Sequence, residues 1–320
     1  MSWTDYFERF LQRDRLATGR LISLLESGAD QEEVQELMKA CLTQKKDAYV
    51  VGITGVPGSG KSTLIDQLGS WLADQGHTVG VICVDPSSPF RGGAILGDRV
   101  RFKNLSRRKG CFVRSMATRG HLGGLGVATH DVVQLLEAGG YDVVIVETVG
   151  AGQSEVEIMR TADTVVLVTV PGLGDQMQVM KAGIMEIGDV FVVNQSDRPG
   201  AKDTVERLRN DIAMFGKGEW RPPVVSTVAT KNEGIAELGE AIIQRLNFLV
   251  EKGEKIKLRK TRDLGAWSKL LEQRFSDSLN DFINNDEMGR AIQEKLEAGK
   301  IDIYQASCEA WSRIVRSGGE

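Results

Sequence analysis

A glycine-rich segment that ends in a lysine and a serine carries the strongest chemical signal in the sequence. It matches G-x-x-x-x-G-K-[ST] and comprises Gly55, Val56, Pro57, Gly58, Ser59, Gly60, Lys61 and Ser62, with Thr63 directly after it. Glycines let the backbone turn its N–H groups toward phosphate oxygens, and the N-terminus of a following helix adds partial positive charge. In such a loop the lysine contacts the β- and γ-phosphates and the serine hydroxyl binds Mg²⁺. The segment therefore predicts a nucleoside triphosphate site.

Three carboxylates lie at or near the ends of apolar, β-branched runs. Asp85 ends TVGVICVD, Asp98 follows in FRGGAILGDR, and Glu147 lies in YDVVIVETVG. Ligands of open α/β sheets bind beyond the carboxyl ends of the strands. We therefore expect these acids to bind Mg²⁺, directly or through water, and we interpret Lys61, Asp85 and Glu147 as catalytic. The alternatives are a turn residue for Asp85, a surface acid for Asp98 and a capping or turn acid for Glu147.

Gly150 follows Glu147 at a spacing where a backbone N–H can contact a γ-phosphate. The segments 86–99 and 150–154 are both rich in glycine. This composition suits segments that a triphosphate orders and that are released after hydrolysis. We therefore expect both segments to respond to the state of the nucleotide.

A third candidate loop, Asn194-Gln195-Ser196-Asp197, follows the apolar run DVFVVN. It is close to the N-K-x-D pattern of guanine-specific proteins. Asp197 can accept two hydrogen bonds from the guanine N1–H and exocyclic amine, a donor pattern that adenine lacks. Asn194 is expected to brace the loop, and Gln195 to pack over the base without the charge of the usual lysine. Guanine selectivity is therefore expected with reduced affinity; an ordinary strand-end turn is the alternative.

One more loop is expected to offer a backbone N–H to guanine O6. It follows the run PPVVST and consists of Val228, Ala229 and Thr230. Together with the loop over 194–197, it would surround the base. The predicted ligands are therefore GTP and GDP, with Mg²⁺ at Ser62, Asp85, Asp98 and Glu147.

These loops need a scaffold that brings them together, and the hydrophobic pattern predicts one. From residue 48 to about 250, short β-branched runs alternate with helical stretches, and the runs are apolar on both faces. This is typical of a mainly parallel sheet covered by helices on each side, hence an α/β P-loop NTPase. We predict an N-terminal helical segment over 1–46, a GTPase domain over 47–253 and a helical arm over 254–320. The arm is expected to pack back or to mediate dimerisation.

Composition narrows the classes of partner and compartment. The chain has 320 residues, 41% of them hydrophobic, which allows a substantial core, and its net charge of -4 provides no basic field for nucleic acid. No apolar signal region or spanning run of about 18 residues is found in the sequence. The four cysteines are scattered and form no C-x-x-C pair, which favours a reducing compartment. The three histidines are also scattered, which argues against a metal site built from them. We therefore expect a cytoplasmic protein without nucleic-acid or membrane partners.

Five segments, taken in order, resemble the MeaB/ArgK GTPases, which are associated with methylmalonyl-CoA mutase and its relatives. The likeness covers roughly residues 10–250, with a looser helical match in the arm, and rests on VGITGVPGSGKST, VDPSSPFRGGAILGDRVR, SMATRGHLGG, VIVETVGAGQSE and VPGLGDQMQVMKAGIMEIGD. The resemblance implies a SIMIBI-type G domain and a homodimer. It also implies a chaperone that gates adenosylcobalamin delivery to an acyl-CoA mutase, protects that enzyme and helps eject damaged cofactor. The mutase, not this chain, would bind adenosylcobalamin.

The resemblance also implies roles for single residues. Lys181, at the end of a further switch over 172–181, would couple mutase binding to hydrolysis, unless it is a solvated helix lysine. Two earlier switches would contain Asp85 and Asp98, and Glu147 and Gly150, respectively. Slow intrinsic hydrolysis and stimulation by a partner are expected, because no arginine is marked as the catalytic one. Four loop arginines are equally eligible: Arg91, Arg99, Arg101 and Arg119.

Three other functions share parts of this pattern. A metal-delivery GTPase that matures nickel enzymes has the same core chemistry but normally needs a site rich in His or Cys. An ATP-dependent kinase needs ATP preference and a phosphoacceptor, whereas Asp197 favours guanine. A scaffold that binds nucleotide only for stability has no need of Lys61, Ser62, Asp85 and Glu147. Comparing guanine with adenine nucleotides separates the kinase from the other classes.

Overall fold

The computed structural model describes residues 2–27, 31–44, 46–85, 101–117, 124–148, 161–172, 185–215 and 218–317. The chain divides into two compact units, Met1–Leu264 and Gly265–Glu320. The first unit contains the sheet, the glycine-rich segment 55–62, called the phosphate loop, and the segment 194–197, called the base loop.

The described part of the first unit contains a seven-stranded sheet in the order β3-β2-β4-β1-β5-β6-β7. All of its paired strands run parallel. The strands are apolar on both faces, as expected for a parallel sheet that is covered on each side. They are β1 Tyr49–Gly55, β2 Val79–Asp85, β3 Cys111–Ala117, β4 Val143–Thr148, β5 Thr164–Thr169, β6 Val190–Asn194 and β7 Val224–Thr227.

Helices precede the sheet, connect its strands and follow it. In the first unit they are α1 Trp3–Leu11, α2 Arg15–Ser27, α3 Gln31–Thr43, α4 Lys61–Asp74, α5 Gly124–Ala138, α6 Ala201–Phe215 and α7 Ile235–Glu251. A long helix, α8 Glu254–Asn285, runs from the first unit into the second. The second unit continues with α9 Glu287–Glu297 and α10 Ile303–Ser317.

Alternate residues of each strand enter different cores, because successive side chains of a strand point to opposite faces of the sheet. On one face, Val50 and Val144 pack with side chains of α1, α2, α3 and α5. On the other face, Val51 and Ile145 pack with side chains of α4 and α7. The predicted α/β fold, a parallel sheet covered on both sides, is therefore confirmed.

The N-terminal helices belong to the packing of the first unit. Phe10 of α1 is fully buried, and a Cβ added to Gly139 would lie 2.4 Å from its ring, so only glycine allows this close approach. Arg114 of β3 donates to Ser23 Oγ at 2.9 Å and pairs with Glu26 at 3.2 Å. The helices α1, α2 and α3 therefore cover one face of the sheet.

A buried ion-pair cluster fixes the first turns of α8 to the first unit. Glu137 of α5 is fully buried and accepts hydrogen bonds from Arg259 at 2.7 Å and Arg262 at 3.3 Å. Arg262 also donates to the Thr161 carbonyl at 3.1 Å and lies 3.8 Å from Asp163 Oδ1. Charges that leave water need such close pairing, so α8 starts from a specific position on the first unit.

The second unit is held by contacts among the rest of α8, α9 and α10. The ring centroids of Phe275 and Trp311 lie 5.9 Å apart, and Lys295 Nζ is 3.0 Å from Glu309 Oε2. Several large apolar side chains stay exposed: Trp267, Leu270, Leu271, Ile303, Tyr304 and Trp311. None of the helices in the described ranges is long and apolar enough to cross a membrane.

Candidate nucleotide-binding site

The parallel sheet brings the candidate loops to one edge, because the carboxyl ends of parallel strands meet there. The central strand β1 lies between β4 and β5, with Ile53 opposite Glu147 and Gly55 opposite Val168. The glycine-rich loop follows β1 directly and leads into α4. Glu147, near the end of β4, therefore lies beside the loop that sequence analysis identifies as the phosphate cradle.

The backbone of the glycine-rich loop has a positive φ at all three of its glycines, and two of them also lie against close neighbours. Gly55 has φ of 144°, and a Cβ there would lie 2.0 Å from the Val168 carbonyl oxygen. Gly60, with φ of 82°, precedes the first residue of α4, and a Cβ there would lie 2.7 Å from Asn194 Nδ2. Both positions combine a left-handed backbone with a close neighbour, so a side chain would strain the loop. The loop is thereby closely packed against β5 and the base loop.

Lys61 extends its ammonium group back across the loop that precedes it. It is buried, and its Nζ donates to the carbonyl oxygens of Gly55 at 2.8 Å and Val56 at 3.1 Å. Ser59 is fully buried, and its Oγ has no hydrogen-bond partner among the described residues. A loop that holds a cation and an unsatisfied hydroxyl beside a helix N-terminus has the chemistry of an anion site.

Ser62, Glu147 and Arg101 form a polar cluster beside the loop. Ser62 Oγ donates to Glu147 Oε1 at 2.9 Å. The Arg101 guanidinium donates through Nη2 to Ser62 Oγ and to Glu147 Oε2, the latter at 3.3 Å. The Glu147 side chain is only 2% exposed, whereas that of Arg101 is 39% exposed. A hydroxyl and a buried carboxylate are the oxygen ligands that Mg²⁺ prefers, and here a cationic side chain occupies their meeting point.

Asn194 connects three pieces of the site. Its side chain is buried and donates through Nδ2 to the Ser59 carbonyl at 2.7 Å. Its Oδ1 accepts from Thr227 Oγ1 at 3.0 Å and from the Ala229 N–H at 3.2 Å. This amide thus fixes the phosphate loop, the base loop and the end of β7 relative to one another.

The side chain of Gln195, a residue of the base loop, contacts the phosphate loop. Its backbone has φ of 57°, and its Nε2 donates to the Gly58 carbonyl at 3.3 Å. Its Oε1 is buried and has no hydrogen-bond partner within the described ranges. The side chain thus ties the base loop to the phosphate loop, a contact that the sequence did not predict.

Asp197 is paired with a residue that sequence analysis missed. Lys231 Nζ lies 3.0 Å from Asp197 Oδ2, and both side chains are substantially exposed. The Lys231 hydrogen bond lowers the pKa of Asp197, and the same bond raises the pKa of Lys231. Asp197 is therefore ionised at neutral pH, the state that the predicted role of accepting two guanine N–H groups requires. The only sequence signal for this lysine is its position directly after the Val228–Thr230 loop.

Two N–H groups of the loop after β7 donate hydrogen bonds within the protein. The Val228 N–H donates to the Glu233 carbonyl at 3.0 Å, and the Ala229 N–H donates to Asn194. Thr230 lies in the short turn Ala229–Lys231 that follows. The loop is thus placed beside the base loop, with Ala229 already engaged by Asn194.

Several predicted site residues lie outside the described part of the chain. These are Asp98, Gly150 and Lys181, together with the arginines Arg91, Arg99 and Arg119. Asp85 is described as the last residue of β2, but its side chain is not. Within the described ranges, no group of three or more His, Cys, Asp or Glu side chains is arranged to hold a metal ion. The structure brings the following predicted residues together: Lys61, Ser62, Glu147, Asn194, Gln195 and Asp197.

Comparisons with known proteins agree on one family. The family model described as methylmalonyl Co-A mutase-associated GTPase MeaB matches residues 18–283. A protein of Pyrococcus abyssi named as a GTPase is 44% identical over 98% of this chain and 97% of its own length. The GTPase ArgK of Escherichia coli is 35% identical over 92% of this chain and 91% of its own length. These matches extend over nearly the whole chain.

Two further matches add a eukaryotic relative and a solved structure. The mitochondrial methylmalonic aciduria type A homolog of Mus musculus is 34% identical over 81% of this chain and 68% of its own length. A crystal structure described as an LAO/AO transport system kinase superposes with a TM-score of 0.73 at 26% identity, covering 98% of this chain and 97% of that one. The resemblance found in the sequence motifs is confirmed, and the chain belongs to the MeaB/ArgK family of GTPases.

Proposed function

We propose that this protein binds and hydrolyses GTP, and that it does so as a chaperone of an adenosylcobalamin-dependent acyl-CoA mutase. The observation that carries the first part is the meeting of Lys61, Ser62 and Glu147 at the end of β1, with Asp197 on the neighbouring base loop. The family description, which names a methylmalonyl-CoA mutase, supports the second part.

The residues beside the phosphate loop fit Mg²⁺. Ser62 Oγ and the Glu147 carboxylate supply hard oxygen ligands, and we propose Asp85 and Asp98 as the other acids of this site. When bound, Mg²⁺ would neutralise charge on the phosphates of GTP. Lys61 would exchange its contacts with the Gly55 and Val56 carbonyls for phosphate oxygens. Glu147, almost fully buried, would accept the hydrogen bond that orients the attacking water.

The base loop provides the proposed preference for guanine. Ionised Asp197 would leave Lys231 partly or wholly and accept hydrogen bonds from the guanine N1–H and exocyclic amine. Asn194 holds this loop against Ser59, so the base and phosphate subsites are fixed relative to each other. Adenine offers no matching pair of donors and would leave the carboxylate unsatisfied, which is the costly outcome for a recognition site.

The partner and assembly follow from the family rather than from the geometry. We propose that the client is a methylmalonyl-CoA mutase or a related enzyme that binds adenosylcobalamin itself. Lys181 and the segment 172–181 are the proposed responders to that client, and the client is proposed to accelerate slow intrinsic hydrolysis. Residues 254–320 are proposed as the dimerisation arm, 47–253 as the GTPase domain and 1–46 as its N-terminal helical segment.

Nucleotide preference is tested by calorimetric titration with GDP, a nonhydrolysable GTP analogue and the corresponding ATP analogue. The guanine nucleotides should bind tightly and the ATP analogue weakly; equal or better binding of the ATP analogue would overturn the guanine assignment. Lys61→Ala should abolish triphosphate binding with the circular dichroism spectrum retained. The exposed Lys202→Ala serves as the matched control and should bind as the wild type does.

The chaperone role is tested with a purified candidate mutase. The mutase should co-purify with this protein and raise its rate of GTP hydrolysis, and Lys181→Ala should reduce the increase while leaving the basal rate measurable. A mutase that neither binds nor changes the rate would refute the client assignment and leave the GTPase assignment standing.

A further inference from the structure

One side chain outside the phosphate loop contacts Ser62 and Glu147, two of the proposed Mg²⁺ ligands. Arg101 Nη2 donates to Ser62 Oγ and lies 3.5 and 3.3 Å from the two Glu147 oxygens. The guanidinium is thus centred where a hydroxyl and a carboxylate converge. A cation of another kind, bound to the same oxygens, would need the same space.

The backbone that follows Arg101 is anchored, whereas the Arg101 side chain is partly exposed. The next residue, Phe102, is fully buried, and Leu105 is fully buried as well. Asp66 of α4 accepts hydrogen bonds from the N–H groups of Asn104 at 3.2 Å and Leu105 at 2.8 Å. The backbone after residue 101 is therefore anchored on α4, while the Arg101 side chain remains 39% exposed.

Electrostatics explains why such a contact forms. A carboxylate that is 2% exposed, like that of Glu147, is costly unless a positive charge and hydrogen-bond donors compensate it. The Arg101 guanidinium supplies both. A divalent ion bound to Ser62 and Glu147 would compensate the carboxylate more strongly and would repel the guanidinium at this distance. The Arg101 guanidinium and a divalent ion therefore compete for the oxygens of Ser62 and Glu147.

We propose that Arg101 is a placeholder for Mg²⁺: it neutralises Glu147 and engages Ser62 in the metal-free state, and it must leave when Mg²⁺ binds with nucleotide. This inference rests on the proposed nucleotide site and adds a competing residue to it. The anchored backbone lets the guanidinium depart without moving Phe102 or the Asp66 cap. Arg101 thereby weakens Mg²⁺ binding and stabilises the protein before loading.

The test measures metal affinity directly, with Mn²⁺ as the probe in the presence of saturating GDP. Free Mn²⁺ is counted by electron paramagnetic resonance, and GDP affinity is measured separately in EDTA. Arg101→Gln should tighten Mn²⁺ binding roughly three- to tenfold, the range expected from losing one charge-assisted competing contact. The same variant should have a lower melting temperature than the wild type without metal, and a larger upward shift on adding Mn²⁺ and GDP.

Arg108→Gln is the matched control, because it removes one partly exposed arginine that is paired with Asp74 away from the cluster. It should leave Mn²⁺ affinity unchanged. Arg101→Lys keeps the charge and should give an intermediate affinity, which tests the idea even if Arg101→Gln folds poorly. Unchanged or weaker Mn²⁺ binding by both Arg101 variants, or weaker GDP binding in EDTA as the only effect, would overturn the inference. If the wild type failed to bind GDP at all, the proposed function would fail instead.

Discussion

Gln195 occupies the position where guanine-binding loops usually have lysine, and its contacts show which part of that role an amide keeps. Its Nε2 donates to the Gly58 carbonyl at 3.3 Å, so the base loop is still tied to the phosphate loop. A neutral amide cannot add the attraction between a cation and the face of an aromatic base. We therefore expect the loss to be confined to nucleotide affinity.

Gln195→Lys is expected to tighten GDP binding by roughly threefold or more, since a cation over an aromatic ring contributes about 0.5–1 kcal/mol at exposed sites. The lysine ammonium can also donate to the Gly58 carbonyl. Calorimetric titration with GDP measures the change. Gln195→Met keeps the length of the side chain without a donor and should weaken binding. Equal GDP affinity in the wild type and the lysine variant would show that residue 195 does not lie over the base.

Patterns of neighbouring residues made part of the site predictable from sequence. The rest depends on contacts between residues that lie far apart along the chain. The phosphate loop and the base loop have fixed residue types at fixed spacing, so Lys61, Ser62 and Asp197 are readable from sequence. Arg101 reaches Glu147 across 46 positions, and Lys231 reaches Asp197 across 34. Their roles depend on how the strands are ordered, which the spacing of residues along the chain does not reveal.

The strands were predictable as elements because apolar, β-branched runs that alternate with helices require a covered parallel sheet. The ion pairs at the start of α8 were not predictable, because in the sequence Arg259 and Arg262 resemble the solvated charges of any amphipathic helix. In the structure they pair with the fully buried Glu137. In a sequence, a charge that will form a buried ion pair cannot be distinguished from an exposed charge, because the packing that buries it is not known.

Arg262→Met is expected to lower the free energy of unfolding by about 3 kcal/mol, because breaking a buried ion pair leaves charge without compensation. Arg262 is 5% exposed and contacts Glu137, Asp163 and the Thr161 carbonyl. Arg259→Met should cost less, because that side chain is 20% exposed. Urea unfolding measures both values. Adding both Glu137→Leu and Arg259→Met to Arg262→Met removes all the charges that pair at Glu137 and should recover part of the loss; a further loss would contradict the ion-pair explanation.

Asp131, on α5, makes the free energy of unfolding depend on pH. Burial raises the pKa of its carboxyl group to about 7, from an unfolded value of 3.8. The folded state therefore holds a proton that the unfolded state releases, so the free energy of unfolding falls as pH rises between these two values and is level above them. Asp131→Asn should remove this fall and raise the free energy of unfolding at about pH 8 by roughly 1–3 kcal/mol.

Urea unfolding at about pH 5 and about pH 8 measures the effect of Asp131. The difference between the wild type and Asp131→Asn should be small at the lower pH and larger at the higher one. Asp203→Asn, at an exposed position of α6, is the control and should not change the pH dependence. A wild type whose stability rises across this interval while Asp131→Asn behaves in parallel would refute the assignment.

At the scale of the whole molecule, the second unit leaves an apolar stripe exposed on α8. Trp267, Leu271 and Phe275 follow one another at helical spacing and are 61%, 47% and 42% exposed. Residues three or four positions apart share one face of a helix. The stripe is therefore a continuous surface on the proposed dimerisation arm, and a second copy of this chain is the proposed occupant.

Leu271→Glu is expected to convert a dimer into a monomer, because a charge buried in an apolar interface has no partner. Sedimentation equilibrium measures the mass of the wild type and the variant. Ser276→Glu adds the same charge at an exposed position of α8 on a different side of the helix, and it should remain dimeric. GDP binding should be retained by both variants, because the nucleotide residues lie in the first unit. A monomeric wild type, or a dimeric Leu271→Glu, would show that this stripe does not form the interface.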